Sequence, residues 1–313
     1  MLKAATTLLL AVALGTGVAH AATRKPAAHA RGGHATAAQM TKAERLKLRR
    51  ADAKRKGAAP KASAPLPVHS KPGSWWKPTA SAPLPLYWIL SAPLSAADAL
   101  PAPAVFDIDG QDNSAAVVAA LHAGGAKVIC YVDAGTWEPG RSDSSSFPDS
   151  VQGSGVDGWP GEKWLDIRQI STLEPIMRAR FQTCKAKGFD AIEPDNIDGY
   201  SNGSGFPLTA SDQLTYNRAL ASWAHALDLG IGLKNDGDQG AALEPDFDWA
   251  LDEQCYDYDE CGYLTSFTKA DKAVWIAEYR TLTDAECADS KAKSFNTAQY
   301  ELNLGKGGRK PCT

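Results

Sequence analysis

Asp190-Ala-Ile-Glu-Pro-Asp-Asn-Ile-Asp-Gly-Tyr200 opens as an apolar run of β type and ends in Glu193, Asp195, Asn196 and Asp198. Folding alone does not explain an apolar strand that turns acidic at one end. Capping of a following helix accounts for Asp198 but not for both Glu193 and Asp195. Similar short runs lie on either side: Leu86–Leu90, Ala104–Asp109, Lys127–Asp133, Gly230–Asn235, Asp248–Glu253, Ala273–Tyr279 and, more weakly, Phe295–Leu302. Between them Ser114–His122, Thr172–Lys187 and Ser211–Leu227 carry apolar residues at helical spacing. Strands alternating with helices imply parallel strands joined by crossovers. Eight such units in roughly 230 residues fit an α/β fold, a (β/α)8 TIM barrel, with a doubly wound open sheet as the competitor.

Acidic residues gather at the C-terminal ends of these expected strands: Asp107 and Asp109, Asp133, Glu193 and Asp195, Asp236, Asp252 and Glu253, and Glu278. In a barrel those ends share one face, where active sites are built. Alternation with period two decides which side chains point inward together: Asp107 with Asp109, Tyr131 with Asp133, Glu193 with Asp195, Leu251 with Glu253. Crowded carboxylates repel, so the rim calls for hydrogen bonds, a bound cation or raised pKa values. Two carboxylates facing one another across a solvent-filled rim are the minimum equipment for cleaving a glycosidic bond: one protonates the leaving oxygen and the other attacks the anomeric carbon or activates water. Trp137, Trp159, Trp164 and Tyr200 fall in loops near that face and suit stacking on sugar rings, with ordinary loop packing as the alternative. Lys234, among acids at a strand end, is a salt-bridge partner or a donor to sugar hydroxyls. Gly153-Ser-Gly-Val-Asp-Gly158 matches a dinucleotide-binding pattern in letters only, because no strand precedes it and no helix follows at once.

Charge divides the 313 residues in two. Residues 1–72 hold 14 Lys and Arg against Glu44 and Asp52, a balance of +12, and the remainder holds 19 against 34, a balance of −15. An acidic folded part argues against a nucleic-acid groove and suits a cationic partner. His122 and His225 are the only histidines beyond residue 72, and both fall in expected helices, so an imidazole-based zinc site or a Ser-His-Asp triad is disfavoured. Lys3, the apolar run Ala4–Ala13 and Ala19-His20-Ala21 read as a secretory signal peptide over residues 1–21, cut after Ala21 and too short for a membrane span. Residues 22–72, rich in Ala, Lys, Arg and Pro, read as a basic disordered linker, and 73–313 as the catalytic domain. A secreted, periplasmic or cell-envelope location follows, with a monomer expected. The six cysteines allow fifteen pairings; Cys255 with Cys261 would staple a loop and Cys287 with Cys312 the C-terminal tail, leaving Cys130 and Cys184 paired or free.

Several ordered segments together resemble the endo-α-1,4-polygalactosaminidase family of glycoside hydrolases. They are Val128-Ile-Cys-Tyr131, Ala134-Gly-Thr-Trp-Glu138 with Arg141, Gly158-Trp-Pro-Gly-Glu-Lys-Trp-Leu-Asp-Ile-Arg168, Gly188 to Tyr200, Gly232-Leu-Lys-Asn-Asp236, and Glu253-Gln-Cys255 with Glu260-Cys261. The resemblance implies a barrel that cleaves α-1,4-linked galactosamine-rich polysaccharide internally without a cofactor. By motif position Asp195 matches the family's catalytic aspartate and Glu253 its catalytic glutamate. Asp133, Glu193, Asp198, Tyr200, Lys234 and Asn235 are the next candidates for the binding shell, with Asp109, Trp137 and Trp159 beside them. The pattern departs at Ile89, where Gln is expected, and at Gly110, where a larger residue is expected. A cationic, partly de-acetylated polymer is the expected substrate. The alternatives are a non-catalytic amino-sugar-binding barrel and a metal-dependent polysaccharide deacetylase.

Overall fold

All eight apolar runs form strands. The structure, a computed structural model, describes residues 74–98 and 104–312, so the expected signal peptide and basic linker lie outside the described residues. The chain runs through β1 (Leu86–Ile89), β2 (Val105–Asp109), α1 (Ala115–Ala123), β3 (Lys127–Asp133), β4 (Thr136–Trp137), β5 (Gln152–Val156), β6 (Trp159–Leu165) and α2 (Ile170–Lys187). It continues through β7 (Ala191–Asp195), α3 (Ala210–His225), β8 (Gly230–Lys234), β9 (Trp249–Glu253), β10 (Val274–Glu278), α4 (Asp284–Ala292), β11 (Asn296–Gln299) and β12 (Lys310–Pro311). Local chemistry sets the helix ends. Thr209 with Asp212 and Thr283 with Glu286 form capping boxes at α3 and α4, and α2 stops at Gly188 in the left-handed region, φ 91°.

The main sheet has the order β1-β2-β3-β7-β8-β9-β10-β11-β12, parallel throughout except for the antiparallel edge strand β12. It curls as a half-barrel. The expectation of a fully closed barrel is corrected in one respect: among the described residues no ladder joins β11 to β1. Side chains bridge that seam instead, with Tyr300 Oη donating to the Leu86 carbonyl at 2.7 Å. A small antiparallel sheet, β4-β6-β5, is inserted between β3 and α2.

Period-two alternation sorts the strands into two apolar layers. Ile89, Phe106, Ile108, Val128 and Ile192 face the helices, and Leu86, Trp88, Val105, Ile129, Trp249 and Trp275 face the interior of the curl. Trp249 and Trp275 meet edge to face, with centroids 5.3 Å apart. Each buried indole removes about 200 Å² from water, on the order of 5 kcal/mol. Gly232 makes room for this plug, because a Cβ there would lie 2.3 Å from the Trp249 ring.

Cysteines pair as Cys130–Cys184, Cys255–Cys261 and Cys287–Cys312. The first ties β3 to α2 and explains the departure at Gly110, where a Cβ would sit 2.3 Å from Cys130 Sγ. Gly110→Ala is therefore expected to lower stability by about 1–3 kcal/mol, through overpacking against a cross-link that cannot yield. Thermal unfolding of the oxidised protein checks it, and an unchanged midpoint would refute the contact. The two histidines serve the fold at the opposite end of the strands. His122 bonds Asp190 at 2.7 Å; His225 bonds Asp248 at 2.8 Å and stacks on Trp75. No helix among the described residues is long and apolar enough to cross a membrane.

Candidate active site

Parallel pairing brings the acidic strand ends level with one another. Asp133 is in register with Asp195, and Tyr131 with Glu193. The inward pairs expected from alternation, Asp107 with Asp109, Tyr131 with Asp133, Glu193 with Asp195, and Leu251 with Glu253, all have inward parity. Asp252 and Glu278 have the opposite parity, and Glu278 accepts the Tyr256 backbone N–H at 2.9 Å away from the cluster.

Lys234, the last residue of β8, stands at the centre. Its Nζ lies 2.7 Å from Asp195 Oδ1, 3.1 Å from Glu253 Oε2 and 3.3 Å from Glu193 Oε1. Lys234, Asp195 and Glu253 each retain only 1% exposure. Burial pulls the Lys234 ammonium down, but Asp195, Glu253 and Glu193 outweigh it and hold the group charged well above an ordinary lysine. Glu193 also accepts from Trp88 Nε1 at 3.0 Å, and the Trp88 ring centroid is 4.8 Å from Lys234 Nζ. Below them Asp107 is wholly buried beside Glu193; burial, then the Glu193 charge, pushes its carboxyl well above the usual range.

Each candidate catalytic carboxylate has its own donors. Asp195 Oδ2 accepts from the Tyr131 hydroxyl at 3.0 Å. Glu253 Oε2 accepts from Asn235 Nδ2 at 2.8 Å, the Glu253 backbone N–H returns a bond to Asn235 Oδ1 at 2.9 Å, and the Tyr279 hydroxyl donates to Oε1. Burial, followed by the neighbouring acid, raises both phenols well above their ordinary value and keeps them as donors. Two oxygens 2.7 and 3.1 Å from one nitrogen are at most about 5.8 Å apart, so Asp195 and Glu253 can act on a single linkage.

The remaining predicted residues divide. Asp133 accepts from the backbone N–H groups of Gly135 and Thr136 at 3.1 and 2.8 Å, from the Thr136 hydroxyl, and from Asn196 Nδ2 at 2.8 Å. It shapes the turn into β4, and burial, then Glu138 and Asp195, pushes its carboxyl up to about 7. Asp109 caps Gln111 and Asp112 and pairs with Arg141 at 2.7 Å, which also grips Glu138. Asp198 lies beside Asp236, whose carboxyl accepts from the Tyr200 side chain and from Asn217; burial, then Asp198, raises Asp236 well above the carboxylate range. Trp137 uses its indole N–H on the Ser144 carbonyl at 3.0 Å and lies under Lys163, so packing accounts for it. Trp159 is half-buried at the start of β6. Among the described residues no group of three or more His, Cys, Asp or Glu side chains is arranged to hold a metal ion.

The model of glycoside-hydrolase family GH114 matches residues 66–310, most of the chain. The chain belongs to glycoside-hydrolase family GH114. Among solved structures it is similar to Aspergillus fumigatus Ega3, crystallised in complex with galactosamine, at 32% identity and a TM-score of 0.71, covering 78% of this chain and 100% of that one. The glycoside hydrolase domain of PelA from Pseudomonas aeruginosa shares the fold at 13% identity and a TM-score of 0.58, covering 72% and 98%. A comparison with curated protein sequences gives no match.

As a GH114 glycoside hydrolase the chain holds site residues that sequence reasoning passed over. Trp88, not residue 89, is the contribution of β1, since Ile89 faces the helix layer. Counting parity from Asp107 through the β1–β2 register, where Trp88 pairs with Asp107, finds it only once that register is known. Tyr279 lies one residue beyond β10 and carried no motif signal.

Proposed function

We propose that this chain is an exported, endo-acting hydrolase of α-1,4-linked, galactosamine-rich polysaccharide, in which Asp195 is the nucleophile and Glu253 the acid/base. The observation that carries the assignment is the bridge at Lys234 Nζ, 2.7 Å from Asp195 and 3.1 Å from Glu253. The separation it allows suits the roughly 5–5.5 Å of a retaining pair better than the 6.5–9.5 Å of an inverting one. Asp195 attacks the anomeric carbon while Glu253 gives its proton to the glycosidic oxygen, releasing one polymer end and leaving a glycosyl-aspartate ester. Water then attacks that carbon, Glu253 takes the water's proton, and Asp195 leaves as carboxylate. Lys234 and Tyr131 stabilise the departing Asp195 charge. The galactosamine seen with Ega3 supports the choice of sugar. Three disulfides suit an oxidising compartment and support export.

Incubation with galactosamine-rich exopolysaccharide, with products sized by mass spectrometry and the first anomer read by proton NMR, tests the assignment. Short oligosaccharides with retained configuration are expected; an intact polymer would leave the non-catalytic binding barrel standing. The folded part's balance of −15 favours a cationic polymer. Raising salt from about 0.01 to 0.5 M is therefore expected to lower kcat/KM on partly de-acetylated polymer about tenfold, with little change on fully acetylated chains. Equal rates on both polymers at low salt would remove the electrostatic basis.

A further inference from the structure

We propose that Glu278 is a positioning residue for the acid/base: its buried carboxyl holds the backbone turn that follows Glu253 and so keeps the Glu253 side chain at the glycosidic oxygen. The proposal rests on the assigned hydrolase activity and adds to it a residue that touches neither the substrate nor the reacting atoms.

Glu253 is the last residue of β9, and the chain leaves the strand at once. Gln254 is in the left-handed region, φ 61°, and Cys255–Tyr258 form a short helix. A left-handed glutamine is a strained way to turn, and it persists only where neighbours hold it. The end of β10 supplies that hold three times. The Gln254 backbone N–H donates to the Ala277 carbonyl at 2.8 Å, the Tyr256 backbone N–H to Glu278 Oε1 at 2.9 Å, and the Tyr279 hydroxyl to Glu253 Oε1. Ala277 is in register with Glu253, so alternation sends Glu278 outward, behind the turn, and Tyr279 inward, onto the Glu253 carboxyl. Glu278 is itself fixed, because its carbonyl accepts the Tyr300 N–H at 2.7 Å. The acid/base is thus gripped from both faces of the sheet, by Tyr279 on its carboxyl and by Glu278 on its backbone.

Glu278 is fully buried, and its Oε2 meets no partner among the described residues. One donor does not compensate a carboxyl for burial, so an apolar side chain would pack this site at lower cost. What the carboxyl supplies and an apolar chain lacks is the acceptor for the Tyr256 N–H. The polar groups around it are engaged elsewhere. Tyr256 Oη donates to Asp289 of α4 at 3.1 Å, and Arg280 grips Asp257 of the short helix and Glu286 of α4, the latter at 3.0 and 2.6 Å. Burial pushes the Glu278 carboxyl up to about 8; Asp257 and Glu286 add to the rise, and the Tyr256 N–H and Arg280 oppose it. Near pH 6.5 the group therefore carries its proton and acts as a neutral acceptor, which an amide reproduces. Without that acceptor the turn loosens and Glu253 shifts against the leaving oxygen it must protonate, and a misplacement of about 1 Å is enough to cost about 10²-fold in rate.

Two variants test the role. Glu278→Met keeps the length of the side chain and removes the acceptor, whereas Glu278→Gln keeps both. On galactosamine-rich polymer near pH 6.5 the Met variant is expected to lose about 10–100-fold in kcat with KM within about twofold, and the Gln variant to stay within about threefold of the unaltered protein. A dinitrophenyl glycoside of a galactosamine oligomer separates positioning from damage to the fold, because its leaving group departs as an anion without a proton. Aryl release in the first turnover is expected to change less than about threefold in Glu278→Met. Equal losses on polymer and aryl glycoside, full polymer activity in Glu278→Met, or a Gln variant as slow as Met overturns the proposal. Hydrogen exchange at the Tyr256 amide of the unaltered protein needs no variant: slow exchange is expected, and exchange as fast as that of an exposed amide removes the bond on which the role depends. An unaltered protein that cleaves neither substrate would overturn the hydrolase assignment and this role with it.

Discussion

Asp195→Asn is expected to lower kcat on galactosamine-rich polymer by about 10⁴-fold while leaving binding within a fewfold, because an amide keeps the shape of the side chain and loses its nucleophilicity. Tyr131 and Lys234 stay in place around the new side chain, and Lys234 still has Glu193 at 3.3 Å and Glu253 at 3.1 Å. The companion Glu253→Gln is expected to lose about 10²–10⁴-fold on polymer, whose leaving oxygen needs protonation. It should lose far less on an aryl glycoside whose leaving group departs as an anion. The contrast assigns the roles: a small anion such as azide restores turnover to Asp195→Gly by entering at the anomeric carbon, and Glu253→Gln has no need of it for bond cleavage on activated substrates. If both variants retain polymer turnover near that of the unaltered protein, the pair assigned to the chemistry is wrong.

Lys234→Met is expected to lower stability by about 3–5 kcal/mol at pH 7, because it leaves Glu193, Asp195 and Glu253 buried without their shared cation. For a domain of this size the midpoint falls by about 10 °C. The pH dependence carries the sign. Without Lys234 three carboxylates stand buried and mutually repelling, so charging them in the folded state costs stability. The deficit is then small below about pH 4, where both states are protonated, and grows as pH rises towards neutrality. Denaturant unfolding of both proteins at pH 4.5 and pH 7.5 measures it. A deficit equal at the two pH values would mean that lost packing against Trp88 outweighs lost charge pairing.

The parity argument on four strand pairs depended only on the two-residue repeat of a strand, and it placed Asp195 and Glu253 correctly in the interior. Helix spacing was similarly legible: Thr172–Lys187 and Ser211–Leu227 were expected where α2 and α3 run. Residues acting through partners far along the chain were not legible. Trp88 and Glu193 are separated by 105 positions, and Tyr279 and Glu253 by 26. Neither aromatic belongs to a pattern of its own. Asp109 and Asp133 showed the same acid-at-strand-end pattern as Asp195, yet turn N–H groups and Arg141 engage them.

Local periodicity and composition were enough to establish parallel strands alternating with helices, acids at the strand ends and a separate basic N-terminal region, because each depends on neighbours a few residues apart. Only the tertiary structure decided which acids share Lys234, why Gly110 must lack a side chain, and that Trp88 reaches Glu193. Those outcomes depend on how strands distant in sequence curl towards one another, and no sequence spacing specifies where a lysine and three carboxylates meet.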